Sequence, residues 1–511
     1  MSSGNRIILN TLILYVKMAL SILLGLFSTR LVLKALGVEE YGIYNLVAGV
    51  VSMLSFLNTS LATSTQRFLS ISLGKNNKVL LSEVFYYSLM LHLLIGVGVV
   101  LLVFFIGGYG IEHILSVHPD KRGETLIVLY FLSGSVFFSI LSVPYVAILI
   151  SRENMLLLSI LEIVESCLKL LGAVLLLSYP NNRLILYAAV IALIMFASFI
   201  MKAAVCQYKY YETRITLRPL TDVGLVKELM FFTGWYTFAS LGSIGRFQGL
   251  QVLLNLFYGV VTNAAYGIAN QVNGLMQFFA TAILQSVKPQ IMKSEGAHDR
   301  ERVGRLSLIA CRYMFFLCAF FSIPLILEMP YVLHLWLDNP PEYTVGFCRL
   351  VLLSTLLYMI TSGLSTAVDA TGNIKWMYIC LGCLHILNLP VGYLLLYNGF
   401  SAYSVLWLVV CEEMICMCVR IGLVRYIVGI SVKVVLKKVI RPVTITTGLT
   451  LFVGIIIVCS LESSFMRLIV TFMSCMLVSI ASVWYYGTEQ PEKERIKFIM
   501  CNIKHKLVKV I

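Results

Sequence analysis

The chain has 511 residues, 59% hydrophobic and only 13% charged, with a mean hydropathy of +0.89 and a formal charge of +14. A soluble domain carries about 25% charged residues, so a water-exposed globule is excluded. The positive excess does not mark a nucleic-acid binder either, because it is concentrated between long apolar runs.

A bilayer-spanning helix needs about 20 mostly apolar residues. That criterion predicts fourteen spans, at 8–33, 41–66, 82–108, 124–150, 156–178, 184–206, 231–257, 263–287, 307–330, 345–370, 375–397, 402–424, 442–460 and 465–486. The run from Ile7 to Leu33 far exceeds a signal-peptide core of about 7–15 residues, so it is expected to remain as the first span. With the N-terminus inside, 27 of the 39 Lys and Arg fall in inside segments and 6 in outside ends and loops. That bias orients membrane proteins, so an even number of spans with both termini in the cytoplasm is expected, with the charge facing an anionic leaflet. Segments 210–230 and 288–305 mix basic, acidic and apolar residues and read as short amphipathic surface helices.

Polar residues inside spans carry the chemical information, because a charge at the bilayer centre costs about 2.5–3.5 kcal/mol on insertion scales. In the first span Asn10, Lys17, Ser21 and Ser28 share one helical face. Lys17 reads as a cation in a polar cavity or as a lysine reaching the interface; Arg30 reads as an interfacial anchor. The fifth span places Glu162, Glu165 and Lys169 together, either as an ion-coupling group or as a self-satisfied cluster with Glu165 and Lys169 in the favourable i,i+4 order. Arg246 lies near the centre of the seventh span with Gly242, Ser243 and Gly249 beside it. These small neighbours leave room for a ligand or let another helix approach, and the alternative for Arg246 is a structural carboxylate partner.

The eighth span carries a stripe of Asn263, Tyr266, Asn270, Asn273, Gln277, Thr281 and Lys288. Amides so placed bond sugar hydroxyls or join helix to helix; Asn270, Asn273 and Gln277 are the candidates for substrate. Asp369, where the tenth span ends, is a candidate for gating or ion coupling. Glu412, Glu413 and Arg420 form a further internal charge group. Among the 13 cysteines, Cys380 and Cys383 lie near His385 at metal-ligand spacing. They sit mid-span without a second pair, so no metal site, disulfide framework or cofactor is expected. No phosphate-cradling loop or nucleophile elbow is visible, and His113, His118 and Asp120 in one short loop are a thin basis for catalysis.

Shifting the sequence by 222 positions lays Thr233–Gly296 on Thr11–Gly74 without a gap, with 13 identities in 64 positions. Gly37/Gly259, Tyr44/Tyr266, Ser64/Ser286 and Gly74/Gly296 are among them. In each copy two apolar runs flank a turn, which in the first is expected at Leu36–Tyr44. A duplicated hairpin of this kind suits a two-lobed transporter.

With this repeat, fourteen spans, and Leu36-Gly37 followed by Tyr41-Gly42-Ile43-Tyr44, the sequence resembles Wzx-type polysaccharide flippases of the multidrug/oligosaccharidyl-lipid/polysaccharide exporter superfamily. The resemblance implies an all-α membrane protein with two six-helix lobes around a central cavity and two additional C-terminal helices. The corresponding divisions are 1–206, a connector at 207–230, 231–427 and 428–511. It also implies a substrate, an undecaprenyl-pyrophosphate-linked oligosaccharide, and a partner, the polysaccharide assembly machinery. Lys17 and Arg246 are then the first choices for the pyrophosphate. A cation-coupled multidrug exporter and a lipid II flippase of the same superfamily are the alternatives. A membrane polymerase or glycosyltransferase is the alternative from another class, and would be expected to show a large external loop.

Overall fold

The computed structural model describes residues 3–52, 55–107, 109, 121–179, 182–214 and 223–494. Among these residues the regular structure is helical throughout, and no strand occurs. Helices α1 (Ser3–Ser52), α2 (Ser55–Gly74), α3 (Lys78–Leu102), α4 (Arg122–Ser151), α5 (Met155–Ser178) and α6 (Arg183–Lys209) are followed by the long α7 (Val223–Gly296). Then come α8 (Arg300–Leu327), the short α9 (Met329–Leu337), α10 (Thr344–Thr371), α11 (Lys375–Tyr397) and α12 (Tyr403–Ile427). The chain closes with a helical stretch at Val432–Ser460 and another at Phe465–Gly487.

The expected turns of the repeat are tighter than the sequence suggested. α1 runs through residues 36–44 with one break, at Gly37 (φ 75°, ψ 175°), and α7 has its counterpart at Gly259 (φ 79°, ψ −174°). This backbone region is open essentially to glycine alone, so one residue replaces a loop in each copy. Two other expectations change with it. Residues 288–296 continue α7 and 300–305 open α8, so 288–305 is not a separate surface helix. In the other such segment, Tyr211–Thr213 is a single 3₁₀ turn, residues 215–222 lie outside the described residues, and α7 already begins at Val223.

The repeat extends beyond the stretch visible as identity. Asn76 and His298, 222 positions apart, both have positive φ (53° and 59°). Next to them Asn77 and Asp299 cap α3 and α8, each side chain accepting a hydrogen bond from the backbone N–H three residues on. The starts of α4 and α10, Arg122 and Thr344, keep the same offset. Those of α5 and α11, and of α6 and α12, differ from it by two residues, which locates the length change within α4 and α10, of 30 and 28 residues.

The chain divides into two compact units. In the N-terminal unit, comprising Ile8–Thr237 with Met292–His298, Val32, Val47, Val128, Leu129, Ala173, Leu176 and Ala188 form the buried apolar core. In the C-terminal unit, comprising the described residues up to Ile7, Phe238–Ile291 and the described residues from Asp299 on, the core includes Leu254, Ala269, Leu350, Val351, Phe347 and Val405. Val32/Leu254, Val47/Ala269, Val128/Leu350 and Leu129/Val351 are repeat-equivalent, so the duplication reaches the packing.

Nine helices among the described residues are long and apolar enough to cross a membrane. The remaining long segments, around 38–74, α5, the two halves of α7 and α12, bear internal charges, amides and hydroxyls that lower their hydropathy. Large apolar side chains such as Leu94, Phe105, Val252, Leu256, Phe452 and Met466 point outward. Such a surface suits hydrocarbon rather than water. The protein is a multi-pass membrane protein.

The last two helices are tied to the C-terminal unit by charge as well as packing. Arg467 donates to the fully buried Glu328 carboxylate (2.9 Å), which also accepts from Thr471. Near the other end of the pair, Arg312 on α8 donates to Glu492 (2.5 Å) and to the Gly487 carbonyl (3.1 Å).

Candidate functional site

The internal charges gather into two networks, one in each unit. In the N-terminal unit α5 supplies both carboxylates. Lys17 on α1 meets Glu162 (2.5 Å), with both side chains about a quarter exposed at 26% and 29%. One turn on, Glu165 takes Lys169 (2.8 Å), Lys202 from α6 (3.0 Å) and the Ser198 hydroxyl (2.6 Å). The i,i+4 spacing of Glu165 and Lys169 made that pair legible. Lys202 was not: it sits at a span end and reads as a loop charge, yet its side chain is only 9% exposed. Together three lysines face two glutamates, an excess of one positive charge.

In the C-terminal unit the network joins α7, α11 and α12. Arg246 lies 3.1 Å from Glu412 and 3.2 Å from Glu413. Glu412 also bonds the His385 ring and accepts from Asn388 (2.5 Å). Arg420 approaches Glu413 (3.5 Å), donates to Thr361 (3.3 Å) and stacks over the Tyr358 ring (5.0 Å). His385, Asn388, Glu412, Glu413 and Arg420 are all buried. Among the described residues, Asn388 Oδ1, Glu413 Oε2 and Arg420 Nε of this group have no hydrogen-bond partner.

The small residues around Arg246 serve close approach of a helix. A Cβ on Gly242 would lie 3.0 Å from the Gly382 carbonyl, and one on Gly249 2.4 Å from Leu389, both on α11. That approach brings His385 and Asn388 to Glu412. The sequence offered little signal for them, since His385 stood beside cysteines and not beside its carboxylate. Donor atoms of His385, Glu412 and Cys416 lie within 4.8 Å of one another, but Arg246 and Asn388 already engage Glu412, so the positive charge there is supplied by the chain. Cys380 and Cys383 do not join this group.

The amide stripe of α7 divides. Among the described residues the Asn270 Nδ2, although buried, makes no hydrogen bond. Asn273 accepts from Thr355 on α10 (2.6 Å), which is a helix-to-helix bond. Gln277 is half-buried. The buried Asp369 accepts from Tyr378 (2.6 Å). Of the expected ion-coupling residues, Glu162, Glu165 and Lys169 belong to the N-terminal unit and Asp369 to the C-terminal one.

Outside the spans, Glu124 at 2.8 Å holds the Lys121 ammonium above its usual range, with Glu40 at 3.5 Å adding to it. Burial pushes the Tyr210 hydroxyl up as well, although Asn154 donates to it at 2.9 Å.

The sequence profile of the polysaccharide biosynthesis protein family matches residues 7–295, and that of the MatE family matches residues 247–394. No curated protein sequence matches the chain. Among solved structures, a crystal structure of a MATE mutant is similar over 84% of this chain and 97% of its own, with a TM-score of 0.72 at 14% identity. An outward-facing multidrug resistance MATE family transporter of the MOP superfamily covers 84% of this chain and 96% of its own (TM-score 0.70, 14% identity). A MOP superfamily transporter from Pyrococcus furiosus, described by the reverse polarity of its binding pocket, gives the same coverage with a TM-score of 0.69 at 14% identity. At this identity the likeness shows a shared fold.

Proposed function

The chain belongs to the polysaccharide biosynthesis protein family, within the multidrug/oligosaccharidyl-lipid/polysaccharide exporter superfamily, and on that basis we propose that it is a flippase. Its substrate is an undecaprenyl-pyrophosphate-linked oligosaccharide, carried by alternating access from the inner to the outer leaflet of the bacterial cytoplasmic membrane, and both termini are cytoplasmic. The family match over 7–295 carries this reading.

The charge networks support it. Among the described residues, Glu162, Glu165, Glu412 and Glu413 each face a lysine or arginine within the spans. A site built to attract a cationic drug would be expected to leave a carboxylate unmatched, whereas the N-terminal network has a lysine in excess. A pyrophosphate would compete with Glu162 for Lys17, and with Glu412 and Glu413 for Arg246, through charge-assisted hydrogen bonds. The unpartnered Asn270 Nδ2 and the half-buried Gln277 supply the donors and acceptors that sugar hydroxyls require, and Asn273 retains its amide nitrogen for the same purpose. Glu162, Glu165, Lys169 and Asp369 remain the proposed carriers of ion coupling. The assembly machinery for surface polysaccharide is the proposed partner.

A multidrug exporter is the second reading, because the similar structures include multidrug resistance transporters. Deleting the gene separates the two. A flippase leaves lipid-linked oligosaccharide accumulated and surface polysaccharide lost; an exporter leaves both normal and makes cells sensitive to cationic drugs.

A further inference from the structure

Beside the turn from α2 to α3, wholly within the N-terminal unit, lies a cavity of about 90 Å³. Its lining is rich in donors. Asn76, Asn77, Lys78, Arg152 and Tyr211 bring amides, an ammonium, a guanidinium and a hydroxyl to it, and among the described residues no carboxylate lines it.

The fold places these donors. The enclosed Glu212 carboxylate, 0% exposed, accepts from Nε and Nη2 of Arg152 (2.9 and 2.7 Å), which fixes the guanidinium at the cavity wall. Asn77 Oδ1 accepts from the Leu80 N–H (3.0 Å), so its amide nitrogen is the group left to donate. The Lys78 ammonium lies 6.0 Å from the centre of the Tyr211 ring, and among the described residues no carboxylate pairs with it. With Glu212 matched to Arg152, Lys78 leaves the cavity one positive charge in excess.

The second copy of the repeat differs at these positions. Asp299 caps α8 as Asn77 caps α3, and Glu295 stands where the first copy has the lining residue Leu73. Arg152, one residue beyond α4, corresponds to Gly372, one residue beyond α10. Both copies keep a cation after the cap, Lys78 and Arg300. The first copy therefore lacks two acids and gains a guanidinium, in a place where the cap alone would accept Asp as readily as Asn.

We propose that this cavity binds a phosphate group, at a site separate from the charge networks within the spans. Lys78 and Arg152 supply charge-assisted bonds to its oxygens, and the two amides and the Tyr211 hydroxyl supply the neutral ones. The charge bias leads one to expect residues 67–78, 152 and 209–214 on the cytoplasmic side, where the group belongs either to an anionic lipid headgroup or to a soluble phosphate compound. The site does not depend on the flippase reading.

Hydrogen exchange of the full chain in nanodiscs tests it in two arms. In phosphatidylcholine discs, inorganic phosphate at ten times its dissociation constant slows exchange over 72–81 and 209–213 about tenfold, relative to potassium chloride at the same ionic strength. In the other arm phosphatidylglycerol replaces part of the phosphatidylcholine and no phosphate is added. Slowing with phosphate alone assigns a soluble compound, slowing with phosphatidylglycerol alone assigns a lipid headgroup, and slowing in both shows that the phosphate group itself is recognised. Asn77→Asp keeps the cap and puts a carboxylate at the cavity, while Lys78→Gln removes an exposed ammonium. Both keep the unfolding midpoint and lose the slowing. No slowing in either arm, slowing matched by chloride, or slowing retained in either variant overturns the site.

Discussion

Arg246 is held by two buried carboxylates, and this changes what its substitution reports. Removing one partner of a buried ion pair costs about 3–5 kcal/mol, because the other charge remains buried without compensation. Arg246→Met therefore lowers the thermal unfolding midpoint in detergent, and lost transport in that variant alone says nothing of substrate. Arg246→Met/Glu412→Gln keeps Glu413 matched to Arg420 and recovers most of the stability. If that folded double variant still fails to export polysaccharide, Arg246 is assigned to the substrate; normal export removes it from the site. The Lys17–Glu162 pair differs in kind. Both side chains are about a quarter exposed, at 26% and 29%, against 17% and 5% for Arg246 and Glu412, so breaking it strands a less enclosed charge. Lys17→Met is expected to leave the midpoint nearly unchanged while lowering surface polysaccharide. A drop of the midpoint comparable to that of Arg246→Met would show that Lys17 is structural.

Helix breaks and caps carry the duplication more faithfully than side chains do. Gly37 and Gly259 share a glycine-only conformation with nothing within 4 Å of the position a Cβ would take. Gly37→Ala and Gly259→Ala are thus each expected to cost about 1–3 kcal/mol through backbone strain alone; unchanged unfolding midpoints would mean that the break relaxes freely. Asn77→Ala and Asp299→Ala each remove an equivalent cap, at a cost of about 1 kcal/mol, again read from the unfolding midpoint, and unequal losses would argue against equivalent roles. The spans and the first hairpin of the repeat were legible in the sequence because apolar length and matched glycines survive divergence. The later helices of the repeat show in their offsets and caps, since a core position such as Val32 or Leu254 requires only an apolar residue. The one-residue breaks were not legible, because polar residues on both sides of Gly37 imitate a loop. The partners of Arg246 were hidden for another reason: Glu412 and His385 are distant in sequence, and only the packing of α7, α11 and α12 brings them together.

The proposed direction of transport requires one orientation of the whole molecule. The charge bias predicts that a cysteine introduced at Asn339 is labelled from outside intact cells and one at Tyr211 only from the cytoplasmic face; the reverse pattern would overturn the topology. The two networks are duplicated in setting and different in chemistry, with lysines in excess in one unit and an arginine–glutamate–histidine group in the other. On the proposed function, that asymmetry would serve a cargo whose pyrophosphate and sugars make different demands. The most direct test of the central claim is the lipid-linked oligosaccharide content of a strain lacking this protein. The account predicts that the lipid-linked oligosaccharide accumulates in the inner leaflet, is cleared by the wild-type chain and is not cleared by Arg246→Met/Glu412→Gln. Wild-type levels of the lipid-linked oligosaccharide in the deletion strain, with surface polysaccharide intact, would contradict it.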